Sequence, residues 1–306
     1  MIANVLTVGQ QVLILFILIL VGFCMGKKKI IGDEAIGGMA NMVLYIVTPA
    51  VIINAFCIPY EPSKLGGLAL TALITIIVHV ITISVVSLTV HHEDKSRECI
   101  LKFSIVFSNC GYMALPLEQA LLGSDGVFYG SAFVAIFNIL LWTWGEGLMR
   151  GEFKFTAKSL ILNPGIMGTL IGFILFFASI PLPEFLGKPV EYIAALNTPI
   201  PMMIIGYQLS KSFVALKHPL EYICIAMRLV IIPLASLAAF IFIGLKGDYV
   251  LSSFIAISAP VAAAGTMFAE KYNHDTGLSA ALVSISTLLS ILTMPLIIGI
   301  ARFYLI

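Results

Sequence analysis

Apolar stretches of about 20 residues follow one another along this chain with only short polar interruptions, and that pattern leaves few folds open. They fall near residues 7–26, 35–57, 65–90, 99–122, 127–149, 159–180, 190–210, 220–245, 249–270 and 277–303. Each is long enough to cross the hydrocarbon core of a bilayer as an α-helix, which takes about 20 mostly apolar residues. The interruptions, such as KKKIIGDE, HHEDKSRE and RGEFKFTAK, are too short to hold a soluble domain. Composition points the same way: 60% of the 306 residues are apolar and only 11% are charged, whereas a soluble domain is about 25% charged. The reading is an all-α integral membrane protein with ten transmembrane helices. No Lys or Arg precedes the first segment and no small-residue cleavage pattern follows it, so it reads as a retained helix and not a signal peptide.

The lysines and arginines orient the chain, because they concentrate in cytoplasmic loops. With the N-terminus outside, the inner loops hold Lys27, Lys28, Lys29, Lys95, Arg97, Lys102, Arg150, Lys154, Lys158, Lys211, Lys217 and Lys271, twelve in all. The outer side holds four, Lys64, Lys188, Lys246 and Arg302. Both termini are therefore expected outside a plasma membrane, which agrees with an even number of spans. The net charge is +1, with no basic tail for nucleic acid. The five cysteines, Cys24, Cys57, Cys99, Cys110 and Cys224, show no metal-binding spacing. They read as packing residues, with no disulfide, metal or cofactor expected.

The two halves, 1–150 and 151–306, echo each other at an offset of 150 residues. Val21-Gly22-Phe23 answers to Ile171-Gly172-Phe173, Thr48-Pro49 to Thr198-Pro199, and Asp125 to Asp275. Five segments per half is an odd number, so a duplicated unit has to be inverted in the membrane. Inverted repeats mark secondary transporters, whose substrates bind near the midplane at discontinuous helices. The fourth segment, through Asn109-Cys110-Gly111 to Pro116, and the ninth, around Pro260-Val261, combine small residues with breakers at corresponding depths. If both unwind, half-helix N-termini face the gap and suit a carboxylate. Asn109, Cys110, Gly111, Pro260 and Val261 are then the substrate-binding candidates. The other outcome is that these prolines only kink packed helices. Pro49 and Pro199 are further candidate break points.

The stretch Ser108-Asn109-Cys110-Gly111-Tyr112-Met113-Ala114-Leu115-Pro116-Leu117, then Phe137-Asn138-Ile139-Leu140-Leu141-Trp142, resembles the auxin efflux carrier family. So do Asn163-Pro164-Gly165, Arg228-Leu229-Val230 and Phe268-Ala269-Glu270-Lys271-Tyr272 in the second half. The resemblance implies a fold like that of the bile acid–sodium symporters. Segments 1, 2, 6 and 7 would form a scaffold, and segments 3–5 and 8–10 a moving transport domain in which segments 4 and 9 cross at their breaks. It implies elevator-type transport of small organic anions, carboxylates or auxin-like weak acids, and a homodimer, as in plant members. Asn109 matches the family's substrate-contacting Asn, Asn138 the polar amide of the fifth helix, and Pro260 the crossover proline of the ninth. Ser108 stands where plant members have Pro, Ile52 where they have a substrate-contacting Ser, and their long loop after the fifth helix is missing. These departures fit a short, bacterial-type member.

Ionisable residues within spans are functional candidates by default. His79, in the middle of the third segment, is either a proton carrier or a neutral packing histidine. Arg228, in the eighth, either snorkels to the inner interface, pairs with Glu146, or attracts the anion. Glu118, near the outer end of the fourth, reads as a solvated rim residue. An enzyme is disfavoured: there is no mid-membrane Asp pair, no HExxH and no GxSG. A channel or ligand-sensing protein of the same fold is the remaining alternative.

Overall fold

The computed structural model describes residues 2–58, 60–153, 164–179, 182–211, 216 and 218–306. Lys154, Lys158, Asn163 and Lys217 lie outside the described residues. Among the described residues the structure is helical, with no β-strand. In chain order the helices are α1 (Ile2–Lys27), α2 (Asp33–Phe56), α3 (Pro62–Thr89), α4 (Lys95–Val106), α5 (Cys110–Arg150) and α6 (Pro164–Phe177). They continue as α7 (Glu184–Ala195), α8 (Pro199–Lys211), α9 (Pro219–Ile243), α10 (Asp248–Ser258), α11 (Ala264–Lys271) and α12 (Thr276–Leu305). Six of these, α1, α2, α3, α5, α9 and α12, are long and apolar enough to cross a membrane. Their outward side chains are apolar too: Leu13, Ile17 and Leu20 on α1, Leu73, Ile77 and Val80 on α3, and Phe242 and Ile243 on α9 are all exposed. Such a surface belongs in lipid, where the backbone polar groups are satisfied within each helix. The protein is a multi-pass integral membrane protein.

Pro49 and Pro116 do not interrupt their helices, contrary to their reading as breaks. Each lies two residues beyond a π-turn, Val43–Val47 and Cys110–Ala114, and Pro233 follows Met227–Ile231 in the same way. The wider turn moves aside the carbonyl that the proline ring would otherwise strike. Pro199 does stand at a break: α7 ends at Ala195 and Pro199 opens α8, where its missing N–H costs nothing. α7 starts at Glu184, in what reads from the sequence as a polar connection.

α5 folds back on itself. Leu115 and Gly130 are fifteen residues apart, about 22 Å along a straight helix, yet a Cβ on Gly130 would come within 2.9 Å of the Leu115 side chain. The reversal occurs at Gly123, whose φ of +66° is a left-handed value that other residues rarely adopt. α1 and α8 meet through glycines. A Cβ on Gly22 would sit 2.0 Å from the Met203 carbonyl oxygen, and one on Gly206 1.9 Å from that of Ile19. Contact of this closeness is how transmembrane helices gain dispersion energy when lipid offers no hydrophobic driving force.

Polar contacts gather at the helix ends. The Asp94 carboxylate accepts from Ser96 N (2.8 Å) to cap α4, and that of Asp275 from Leu278 N (2.9 Å) to cap α12. Arg97 pairs with Glu221 at the start of α9 and lies 3.7 Å from Asp275, so it ties three helix N-termini together.

Candidate functional site

α4 stops at Val106 and the chain resumes as α5 at Cys110, while α10 stops at Ser258 and resumes as α11 at Ala264. Phe107 and Ala259 are extended at the two exits. Pro260 has no N–H, so α10 has nothing with which to continue its ladder there. The freed backbone groups find each other: Asn109 N donates to Pro260 O (2.7 Å) and Ala262 N to Phe107 O (3.0 Å). Ser108 and Val261 thereby form an isolated antiparallel bridge. Val261 N donates in turn to Ser286 Oγ on α12 (3.1 Å). Fully buried Phe103, Phe107 and Phe268 pack ring to ring where α4 ends. Two broken helices are thus joined at their breaks, which is what allows non-helical backbone at membrane depth.

A cavity of about 430 Å³ lies against this bridge. One wall is α2 and α8, with Asn41, Leu44, Thr48, Ile204 and Gln208. The other is the bridge with α5 and α11, giving Ser108, Asn109, Gly111, Tyr112, Phe137, Asn138, Trp142, Ala264 and Thr266. Gly165 at the start of α6 completes it. Gly111 and Ala264 belong to the first turns of α5 and α11, whose leading N–H groups have no partner within their own helices. Asn109 is 4% exposed, and its Nδ2 is buried without a partner among the described residues. Thr48 Oγ1, on the opposite wall, is in the same condition. Gly37, Asn41, Met267 and Glu270 are the exposed lining residues and mark the mouth.

Of the residues singled out from sequence, Asn109, Gly111 and Asn138 line this cavity. Cys110, Pro260 and Val261 are buried on the far side of the bridge and do not. Asn41, Thr48, Gln208 and Thr266 are polar lining residues that the sequence reading missed. The signal for two of them is seven-residue spacing, with Asn41, Leu44 and Thr48 on one face of α2.

The membrane transport protein family matches this chain over residues 7–154 and 148–298. The chain is a member of that family, the auxin efflux carriers. Two archaeal proteins described as uncharacterised transporters are similar to it along nearly their whole length. One, from Methanocaldococcus jannaschii, is 26% identical over 93% of this chain and 96% of its own. The other, from Methanothermobacter thermautotrophicus, is 21% identical over 94% of this chain and 96% of its own.

The ionisable residues singled out within the spans of this membrane transport protein, His79, Glu118 and Arg228, do not line the cavity. His79 is 3% exposed and faces the rings of Phe107, Phe133 and Phe137. Its Nδ1 donates to Thr75 O (2.8 Å), and its Nε2 has no partner among the described residues. Glu118 is not a rim residue. It is fully buried, because the reversal at Gly123 turns the second limb of α5 over it and lays Gly126 against its backbone and Gly130 against its side chain. Neither of its oxygens has a partner among the described residues, since Ser252 opposite turns its hydroxyl to Gly126 O (3.1 Å). Arg228 neither snorkels nor pairs with Glu146; it is 3% exposed and bonds backbone carbonyls. Glu146 instead accepts from Tyr272 Oη (2.6 Å) and Lys271 Nζ (2.9 Å), next to the cavity mouth. Burial lowers the Lys271 pKa, but this carboxylate and phenol more than reverse that, so it stands above the ordinary lysine value.

Proposed function

We propose that this membrane transport protein is a secondary carrier of small organic anions, such as mono- and dicarboxylates. The observation that carries the proposal is the cavity at the joined breaks, lined by two half-helix N-termini and by Asn109, whose buried Nδ2 has no partner among the described residues. Helix N-termini offer unpaired N–H groups and partial positive charge, which suit a carboxylate. A volume of about 430 Å³ holds a ligand of that size with its apolar part against Tyr112, Phe137 and Trp142.

The reading extends to architecture. Ten spans in two inverted repeats are supported by paired features: Gly22 closes on Met203 and Gly172 on Phe56, so two glycines 150 residues apart meet positions 147 residues apart. The cavity separates α2, α6 and α8 from the bridge, α5 and α11. Alternating access then follows if the bridge-bearing body slides past the other wall, as an elevator does. The mouth residues Gly37 and Asn41 lie in the first half of α2, which follows Lys27–Lys29, and the loop charges support that side being inside, with both termini outside. A Lys28→Cys variant in intact cells should resist an impermeant maleimide; outside labelling would reverse the orientation.

Counterflow tests the transport reading. In proteoliposomes, labelled malonate, malate or indole-3-acetate should enter faster when the same unlabelled compound fills the lumen. A channel shows no such acceleration. If every carboxylate that binds crosses without it, the carrier reading is lost.

A further inference from the structure

Arg228 sits in the π-turn Met227–Ile231 of α9 and points into the core, behind the bridge as seen from the cavity. Its Nη1 donates to Ile105 O (3.1 Å) and Val106 O (3.2 Å), and its Nη2 to Ile257 O. These carbonyls are among the last of α4, which ends at Val106, and of α10, which ends at Ser258. One guanidinium therefore caps the C-termini of both half-helices that enter the bridge. No carboxylate among the described residues lies within ion-pair distance of it, and its Nε has no partner there. A lone charge buried this deeply is costly and needs a reason.

The electrostatics supply one. A helix carries about +0.5 charge at its N-terminus and about −0.5 at its C-terminus. Four such ends meet at the joined breaks. The C-termini of α4 and α10 stand only a few residues from the N-termini of α5 and α11, so the four would nearly cancel at the cavity. Arg228 contributes one positive charge where the two C-termini contribute about one negative charge. The N-termini facing the cavity are then left uncompensated. The carboxylate at the mouth, Glu270, is exposed and screened by water and salt; the capped ends are not.

We propose that Arg228 is the specificity-determining residue that makes this site select anions, although it does not touch the cavity. It cancels the half-helix C-termini so that the half-helix N-termini act alone on the substrate. This rests on the anion-carrier reading above and adds the source of the selectivity.

The test compares a carboxylate with its primary amide, malonate with malonamide and indole-3-acetate with indole-3-acetamide, for binding to purified protein. Wild type should prefer the carboxylate. In Arg228→Met, which keeps an unbranched apolar stem but loses the charged head, that preference should fall about tenfold or more, with the amide little affected. Arg228→Lys should keep the preference within about threefold, even if it melts earlier. Equal weakening of carboxylate and amide in Arg228→Met makes Arg228 a packing residue and overturns the proposal. If Arg228→Met does not fold, wild type still decides. A buried field keeps its preference from about 50 mM to about 500 mM KCl, whereas one from rim lysines such as Lys271 collapses. Collapse overturns the proposal. A wild type that shows no preference for any carboxylate removes the anion reading and this inference together; a preference that survives Arg228→Met removes the inference alone.

Discussion

Asn109→Ala is expected to weaken carboxylate binding roughly ten- to hundredfold while the protein still inserts and purifies. The side chain is 4% exposed and its Nδ2 has no partner among the described residues, so truncating it removes no Nδ2 bond there. The bridge survives because it uses the backbone N of Asn109, bonded to Pro260 O at 2.7 Å. Losing a hydrogen bond to a charged group costs about 1.5–3 kcal/mol, and about 1.4 kcal/mol is tenfold in affinity. Asn109→Asp is the sharper variant: it keeps the size but sets a negative charge against the substrate, and should bind no carboxylate measurably. Isothermal titration with malonate reads both. Unchanged affinity in the alanine variant would place the substrate elsewhere and leave the joined breaks as architecture.

Gly206→Leu is expected to yield no monodisperse protein in detergent. Even a Cβ at this position would lie 1.9 Å from the Ile19 carbonyl oxygen and 2.8 Å from Phe23 N. Both neighbours are backbone, so no rotamer change relieves the clash and α1 has to move away from α8. Overpacking by a methylene or two costs roughly 1–3 kcal/mol in a core that can adjust; this one cannot. Gly22→Leu should behave alike, since its Cβ would meet the Met203 backbone from the other side of the same crossing. Gly66→Ala is the control, because nothing lies within 4 Å of its Cβ position. Gel filtration and thermal unfolding separate the outcomes. A Gly206→Leu protein that melts with wild type would mean that α1 and α8 do not pack as described.

The membrane-embedded helical character was legible because it depends on length and apolarity alone, which each segment displays without reference to any other. What depends on contacts between segments was not. Pro49 and Pro116 look like break points in sequence, but a π-turn two residues earlier accommodates each ring, and no residue type announces a π-turn. Glu118 looks like a rim residue when its depth is counted along one straight span; the reversal at Gly123 buries it instead. Asn109 could be picked out at a visible helix break, and Asn138 through the resemblance to the family. Gln208 lies near a segment end, where polar residues are ordinary, and Thr48 is a threonine, common within apolar helices; only the pairing of α2 with α8 turns them toward the cavity. Arg228 was conspicuous but its partners were not, since they are carbonyls set free by breaks in two other helices.

The bridge also fixes an order of events in biosynthesis. Phe107 O and Asn109 N have as their partners Ala262 N and Pro260 O, about 150 residues later in the chain. While the ribosome is still making the second half, the break in the first half sits at membrane depth with these groups unsatisfied, at a cost of several kcal/mol each in lipid. The first half is therefore an incomplete object, and the cavity at the joined breaks is among the last parts of the molecule to come into existence.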